Sequence, residues 1–308
     1  MPAKKVIITT GCPAGCGPFI TLKAIEALKN KKIDFFVVGD KKILQEIPVY
    51  KKIKNRINLV DLNTPGIEKI KKGYSSKLAG SASLNYLKEG LEIAKEMRVK
   101  HFVTAPLSKE AVKLVFPQFC GHTEYLADYF KTKNFAMMMV SKKLKVVLFT
   151  RHIPLRKIPS FIRKKELTNN LFLVQSCLKE IFRIKHPKIA FASLNPHAGI
   201  NTFLDKEDKV IYAAIKKFKE KIYGPFPSDT LFLGENLSKY DCLIASYHDQ
   251  AMIPFKLLSF GDGVNLTLGL PIIRTSPAHG VAYDIIRQKK LPFSSSMEEA
   301  IKLALRLP

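Results

Sequence analysis

Between Ser246 and Thr275 the chain reads SYHDQAMIPFKLLSFGDGVNLTLGLPIIRT, which gathers a histidine, carboxylates, a lysine, an asparagine, an arginine and three glycines into thirty residues. An apolar run from Asp241 to Ser246 leads in like a buried strand. It delivers Tyr247, His248 and Asp249 at its C-terminal end, where open α/β sheets carry their chemistry. His248 is suited to bind a metal or act as a base. Lys256, Asn265 and Arg274 are donors suited to holding an anionic substrate. Taken singly these residues have ordinary explanations, since a histidine after a strand is commonly a satisfied buried polar group and Lys256 and Arg274 could be surface charges. Coincidence with other segments has to decide.

Two further histidines follow strand-like runs. Lys145 to Phe149 runs into T-R-H-I-P-L with His152, and Ile189 to Ser193 runs into L-N-P-H-A-G with His197. Parallel strands would bring His152, His197 and His248 to one sheet edge. Three neutral imidazoles suit zinc, cobalt and related divalent ions and leave positions open for substrate oxygens. Pattern alone leaves three unrelated polar loop residues equally open. G121-H-T-E124 opens a helix whose Thr123 can cap it, while His122 faces the helix N-terminus, a natural seat for an anion. Lys109 stands at another strand-to-helix junction, after Phe102 to Ala105.

The elements that must position these residues alternate along the chain. Val6 to Thr9 reads as a buried strand, followed by the glycine loop G11-C-P-A-G-C-G-P18 and an amphipathic stretch from Phe19 to Asn30. The loop permits close backbone approach to a ligand, but it is not the G-x-G-x-x-G of a Rossmann fingerprint. Asp34 to Val38, Ile57 to Leu62 and Phe135 to Val140 read as further strands, and Ser83 to Arg98 and Ile158 to Phe182 as helices.

The 308 residues suggest about two domains with sizeable cores, and 46% hydrophobic with 25% charged residues is the composition of a soluble globular protein. No apolar run reaches roughly 18 residues and the N-terminus has no signal-like apolar region, so a cytoplasmic protein without membrane insertion is expected. Five scattered cysteines argue against a disulfide framework, and Cys12 and Cys16 read as packing thiols. The net charge of +25 raises nucleic acid as a partner. That excess rests on 42 lysines against nine arginines, spread through many segments rather than gathered in one stripe. No specific nucleic-acid binding is expected from such a diffuse field, which would instead favour a phosphorylated, anionic substrate.

Taken together, G11-x-P-A-G-x-G-P18, G121-H-T-E124, H152-I-P-L155, L194-N-P-H-A-G199, G224-P-x-P-x-D-T230, Y247-H-D-Q250 and G263-V-N-L-T-L-G-L-P-x-I-R-T-S276 resemble the 4-hydroxythreonine-4-phosphate dehydrogenase family of pyridoxal 5'-phosphate biosynthesis. The resemblance implies a divalent metal (zinc, magnesium or cobalt) on His152, His197 and His248, and substrate contacts from His122, Thr123, Lys256, Asn265 and Arg274. It also implies a homodimer whose active site is completed across the subunit interface, so that some metal ligands come from the partner chain. The family is similar in turn to isocitrate and isopropylmalate dehydrogenases, whose H-G-x-A-x-D-I segment lies against the cofactor. Here His279 to Ile285 reads H-G-V-A-Y-D-I, which assigns His279, Gly280 and Asp284 to NAD or NADP. The chain departs from the family pattern at Cys12, Cys16, Phe19, Ala278, Val281, Ile286 and Arg287.

The implied fold is a two-domain α/β/α architecture of the isocitrate and isopropylmalate dehydrogenase kind, with 1–125 and 270–308 as the first domain and 126–269 as the second. A closing helix from Ser296 to Leu305 would pack back on the first domain. The implied reaction oxidises a β-hydroxy acid to a β-keto acid that loses carbon dioxide, with Lys109 and Asp229 as candidates for proton handling. Two rivals stand beside it. One is a sister dehydrogenase of erythronate or threonate 4-phosphate, and the other is a basic binding protein on a degenerate enzyme scaffold.

Overall fold

A computed structural model of the chain describes residues 3–29, 32–199, 206–218, 221–259 and 261–308. Its strands are β1 (Lys4–Thr9), β2 (Ile33–Gly39), β3 (Ile57–Asp61), β4 (His101–Thr104), β5 (Ala136–Val140), β6 (Lys145–Leu148), β7 (Ile189–Ala192), β8 (Ile222–Phe226), β9 (Cys242–Ala245), β10 (Val264–Leu268) and β11 (Ile273–Pro277). The chain divides into two compact units, Met1–Phe130 with Pro271–Pro308, and Lys131–Leu270.

In the first unit the strand order is β3-β2-β1-β4-β11, and each of these pairings is parallel. Parallel strands covered on both faces need continuous apolar runs, and Val6, Ile7 and Ile8 are accordingly buried without exposure. Because β1, β4 and β11 are neighbours, the segments that follow them meet at one edge. There Cys12 N donates to Pro106 O at 2.9 Å and Cys16 N donates to Val281 O at 2.9 Å. Gly11, at φ +68°, leaves no room for a side chain, since a Cβ would stand 2.3 Å from Pro106 O. The closing helix runs Ser295–Arg306 and packs on β11, where Thr275 Oγ1 donates to Ala300 O at 2.8 Å.

The second unit has the order β10-β5-β6-β9-β7-β8. Its first two pairings are antiparallel, and the next three, β6 with β9, β9 with β7 and β7 with β8, are parallel. The consequence is that β6, β9 and β7 end side by side, and the residues after them are His152, His248 and His197. All three histidines therefore follow neighbouring strands of this one unit, but only His152 and His248 come together.

Three expectations need correction. The helix expected from Ser83 begins at Lys77 and runs to Glu96, with Ser76 as its cap. Gly80, Ser81 and Ser83 depress helix propensity there, but tertiary packing overrides it. Gly80 lies so close to the helix Lys109–Lys113 that a Cβ would stand 2.0 Å from Ala111 O. The helix expected from Ile158 to Phe182 is two, Ile158–Phe161 and Lys164–Glu180. The break is the extended Arg163, whose Nε donates back to Ser160 O at 2.7 Å. Thr123 is not a cap. Gly121 holds that position at φ +149°, and the helix begins at His122.

Candidate active site

The first unit builds a cationic nest around the start of the helix His122–Tyr129. Arg274, the second residue of β11, is 1% exposed, and both its Nε and Nη2 donate to Thr104 Oγ1 at 3.1 and 2.7 Å. Thr104 closes β4, the parallel neighbour of β11, so the guanidinium lies along the sheet toward its C-terminal edge. Burial pushes the Arg274 guanidinium down to about 9, with the nearby Glu124 carboxylate acting in the opposite sense. It stays charged at neutral pH. Lys109 reaches the same place, because Gly121 has no side chain: a Cβ there would stand 3.4 Å from Lys109 Nζ and 3.2 Å from Glu124 Oε2. Burial, with the Arg274 and Lys109 charges beside it, holds His122 well below the usual histidine range. His122 is therefore neutral at physiological pH. Thr123 is buried. A half-buried neutral imidazole, a guanidinium and an ammonium around a helix N-terminus can together receive an anion.

At the same edge the first loop grips the 279–283 segment. Cys16 Sγ lies 3.5 Å from Gly280 O, and Cys12 Sγ lies 3.2 Å from Tyr283 Oη. Burial pushes the Cys16 thiol up to about 12, so it serves packing rather than thiolate chemistry. The cysteines are free thiols. His279 and Asp284 are exposed, and a Cβ on Gly280 would meet nothing within 4 Å, so backbone there fronts open space.

In the second unit, His152 and His248 stand together, with ring centroids 5.9 Å apart and planes at 38°. His248 is the first residue of the helix His248–Leu258, and its Nδ1 lies 2.6 Å from Asp249 Oδ1. A carboxylate only accepts, so Nδ1 donates this bond, and the tautomer it selects in the neutral ring is the one whose Nε2 lone pair suits a metal. His197 occupies a different turn, where it and Ala198 adopt left-handed backbone at φ 55° and 60°. Among the described residues, no three His, Cys, Asp or Glu side chains of one chain form a metal-holding group, so His197 does not complete the pair. The turn before it is fixed by Asp208, which accepts from Leu194 N at 2.8 Å and Asn195 N at 3.1 Å. Burial raises the Asp208 carboxyl and those amides oppose the shift.

Asn265 stands on β10, where its Oδ1 is buried and, among the described residues, has no hydrogen-bond partner. An unsatisfied buried acceptor is costly, and a ligand donor would relieve it. Lys256 and Asp229 are exposed, on the helices His248–Leu258 and Ser228–Leu231. The sequence singled out neither Thr104 nor Asp208 nor Gln250, although Gln250 lies in the quoted Y-H-D-Q motif. Their roles depend on which strands become neighbours, and no local spacing encodes that.

Comparison with known proteins places the chain in a family. The family model described as "Pyridoxal phosphate biosynthetic protein PdxA" matches residues 20–304. A 4-hydroxythreonine-4-phosphate dehydrogenase of Sulfurihydrogenibium sp. is 38% identical, covering 98% of each chain. A D-threonate 4-phosphate dehydrogenase of Salmonella typhimurium is 37% identical over the whole of both. Among solved structures, 4-hydroxythreonine-4-phosphate dehydrogenase of Klebsiella pneumoniae superposes with a TM-score of 0.84 at 33% identity, covering 99% of this chain and 98% of that one. Isocitrate dehydrogenase of Methylococcus capsulatus, 10% identical with a TM-score of 0.50 over 98% of this chain and 85% of that one, shares the fold. The expected α/β architecture of the isocitrate dehydrogenase kind is thus the observed one. By family model and by full-length identity, the chain belongs to the PdxA family of pyridoxal phosphate biosynthetic proteins.

Proposed function

We propose that this protein is a dehydrogenase of 4-phosphohydroxy-L-threonine. It would use NAD, or NADP, to form 2-amino-3-oxo-4-(phosphonooxy)butanoate, which decarboxylates to 3-amino-2-oxopropyl phosphate. The observation that carries this reading is the His152–His248 pair, ring centroids 5.9 Å apart, with Asp249 on Nδ1 of His248. Two imidazoles so placed, one held in a single tautomer by a carboxylate, fit a divalent ion such as zinc, magnesium or cobalt. The third imidazole in this reading is His197 of the partner subunit in a homodimer. Ile253 and Leu257, one turn apart on the helix that begins at His248, are 61% and 80% exposed and suit such an interface.

When bound, the metal supplies Lewis acidity at the substrate hydroxyl and the nicotinamide accepts the hydride. The chain's own residues do the rest. Arg274 and Lys109, beside neutral His122 and Thr123, take the substrate's anionic groups. Lys256 adds a further cation, and Asn265 turns its unsatisfied oxygen to a substrate donor. Lys109 and Asp229 are the groups proposed to take the hydroxyl proton and return one to the product. His279, Gly280 and Asp284 receive the cofactor, with Gly280 backbone facing open space.

A second reading has a specific observation behind it. A relative that by name acts on D-threonate 4-phosphate matches this chain as fully as those that act on the amino substrate, and the two substrates differ by a hydroxyl in place of an amine. Steady-state assays with 4-phosphohydroxy-L-threonine and with D-threonate and D-erythronate 4-phosphates, each with NAD and NADP, decide between them. The expected result is the highest kcat/KM for the amino substrate with NAD. Reduction of neither cofactor by any of the three would end the dehydrogenase reading.

A further inference from the structure

The amide of Gln250 is used completely, and every partner belongs to a segment that carries a proposed active-site residue. Its Oε1 accepts from Ser246 N at 2.6 Å, at the end of β9. Its Nε2 donates to Ser193 O at 2.7 Å, where β7 ends, and to Ser228 Oγ at 2.6 Å, where the helix Ser228–Leu231 begins. Ser228 Oγ in turn donates to Ser193 O at 3.3 Å, closing a small ring. Ser246 extends the network to the remaining strand, since its Oγ donates to Ala192 O at 3.1 Å and its O accepts from Thr150 Oγ1 at 2.7 Å.

Four chain segments are thereby tied together just beyond the ends of β6, β9 and β7. His152 is two residues past Thr150, His248 two past Ser246, His197 four past Ser193, and Asp229 directly follows Ser228. Gln250 itself projects from the first turn of the helix that His248 opens. Backbone bonds carry β6 and β9 one step further together, Phe149 N donating to Ala245 O at 2.9 Å and Thr150 N to Ser246 O at 3.2 Å, and Ser193 N donates to Phe226 O at 2.8 Å. Past these, the side chains of Thr150, Ser246 and Gln250 supply the ties. A single neutral amide, offering one acceptor and two donors, satisfies a backbone N–H, a backbone carbonyl and a hydroxyl at once. Glutamate could accept but not donate, and a shorter asparagine would not span the three.

We propose that Gln250 is the positioning residue of the metal site: it fixes the His248 helix against the ends of β9 and β7 and against the Asp229 helix, and braces the base of the turn that would offer His197 to a partner's pair, without touching metal or substrate itself. This rests on the metal reading above, and it adds a residue to which that reading gives no role. Groups just outside a metal's ligands tune affinity by about 10–100-fold through ligand orientation alone.

The test uses Co2+ as probe on chelator-stripped full-length protein, with affinity from calorimetry and coordination geometry from the visible absorption bands. Gln250→Met keeps the volume and removes every polar contact. The expected result is binding weaker by about tenfold or more with altered bands, a lowered kcat, and an unchanged KM for the nicotinamide cofactor. Wild-type affinity and wild-type bands in that variant would overturn the proposal while leaving the metal site standing. No Co2+ binding by the unmutated protein would sink both together. If Gln250→Met does not fold, Ser228→Ala carries the test by removing one bond of the amide. Binding weakened by about threefold or more, on the scale of one hydrogen bond, supports the role, and unchanged affinity overturns it.

Discussion

Arg274 is an expensive residue to bury, because a guanidinium loses its hydration and recovers only what its partners return. Thr104 Oγ1 returns part, by accepting from Nε and Nη2 together, and Glu124 lies close enough to oppose the shift that burial imposes. One edge of the fork is therefore taken up inside the protein, which fixes the plane of the guanidinium before any ligand arrives. A lysine at this position keeps the charge but can neither share Thr104 in this way nor present a planar donor pair. Arg274→Lys is expected to lose about 1.5–3 kcal/mol of transition-state stabilisation, the worth of a charged hydrogen bond, chiefly through a raised KM. If Arg274 only braces β4 against β11, the variant will instead melt earlier with kcat/KM per folded molecule unchanged. The sequence could name Arg274 but not its partner. Thr104 lies 170 positions away and meets it only because β4 and β11 become parallel neighbours.

At the scale of elements, what was legible was the rhythm, and what was not was the pairing. Buried strands announced themselves because parallel β-runs such as Val6–Ile8 and Leu243–Ala245 must be apolar on both faces. The three histidines were legible for the same reason, since each stands just past such a run. Val264–Leu268 and Ile273–Pro277 lie inside a glycine-rich motif, and the glycines and prolines around them hide their strand character. The early start of the helix Lys77–Glu96 was hidden by Gly80, whose presence is a packing requirement rather than a local preference. A methyl group there would fall 2.0 Å from a backbone oxygen of the helix Lys109–Lys113. Gly80→Ala should therefore destabilise the protein by about 1–3 kcal/mol, the usual cost of overpacking, despite alanine's better helix propensity. Urea unfolding followed by circular dichroism checks the sign. Stabilisation would show that the two helices can separate without penalty. Because Lys109 opens the second of those helices, kcat is expected to fall as well.

At the scale of the whole molecule, the charge of +25 describes its surroundings better than its chemistry. Lysines lie along many exposed helix faces, and a field of that sign raises the local concentration of phosphorylated anions of any kind. Among the described residues no helix is long and apolar enough to cross a membrane. What composition could not supply is the count of chains needed for one active site. His152 and His248 meet within one chain, whereas His197 sits on a left-handed turn of its own, just past the Leu194 and Asn195 amides that Asp208 holds. A pair of ligands in one place and a third in another is what the proposed homodimer would reconcile, because an isologous interface would present each chain's His197 to the other's pair. Mixing two inactive variants tests this directly. His197→Ala and His248→Ala are each expected to lose activity and keep their fold. Dissociated and reassociated together, they form heterodimers in which one site inherits His152 and His248 from the first chain and His197 from the second. Roughly a quarter of wild-type activity should return, from one sound site in each of the heterodimers that random pairing produces. If all three ligands belong to one chain, both sites of every heterodimer lack a histidine and the mixture stays as inactive as its parts.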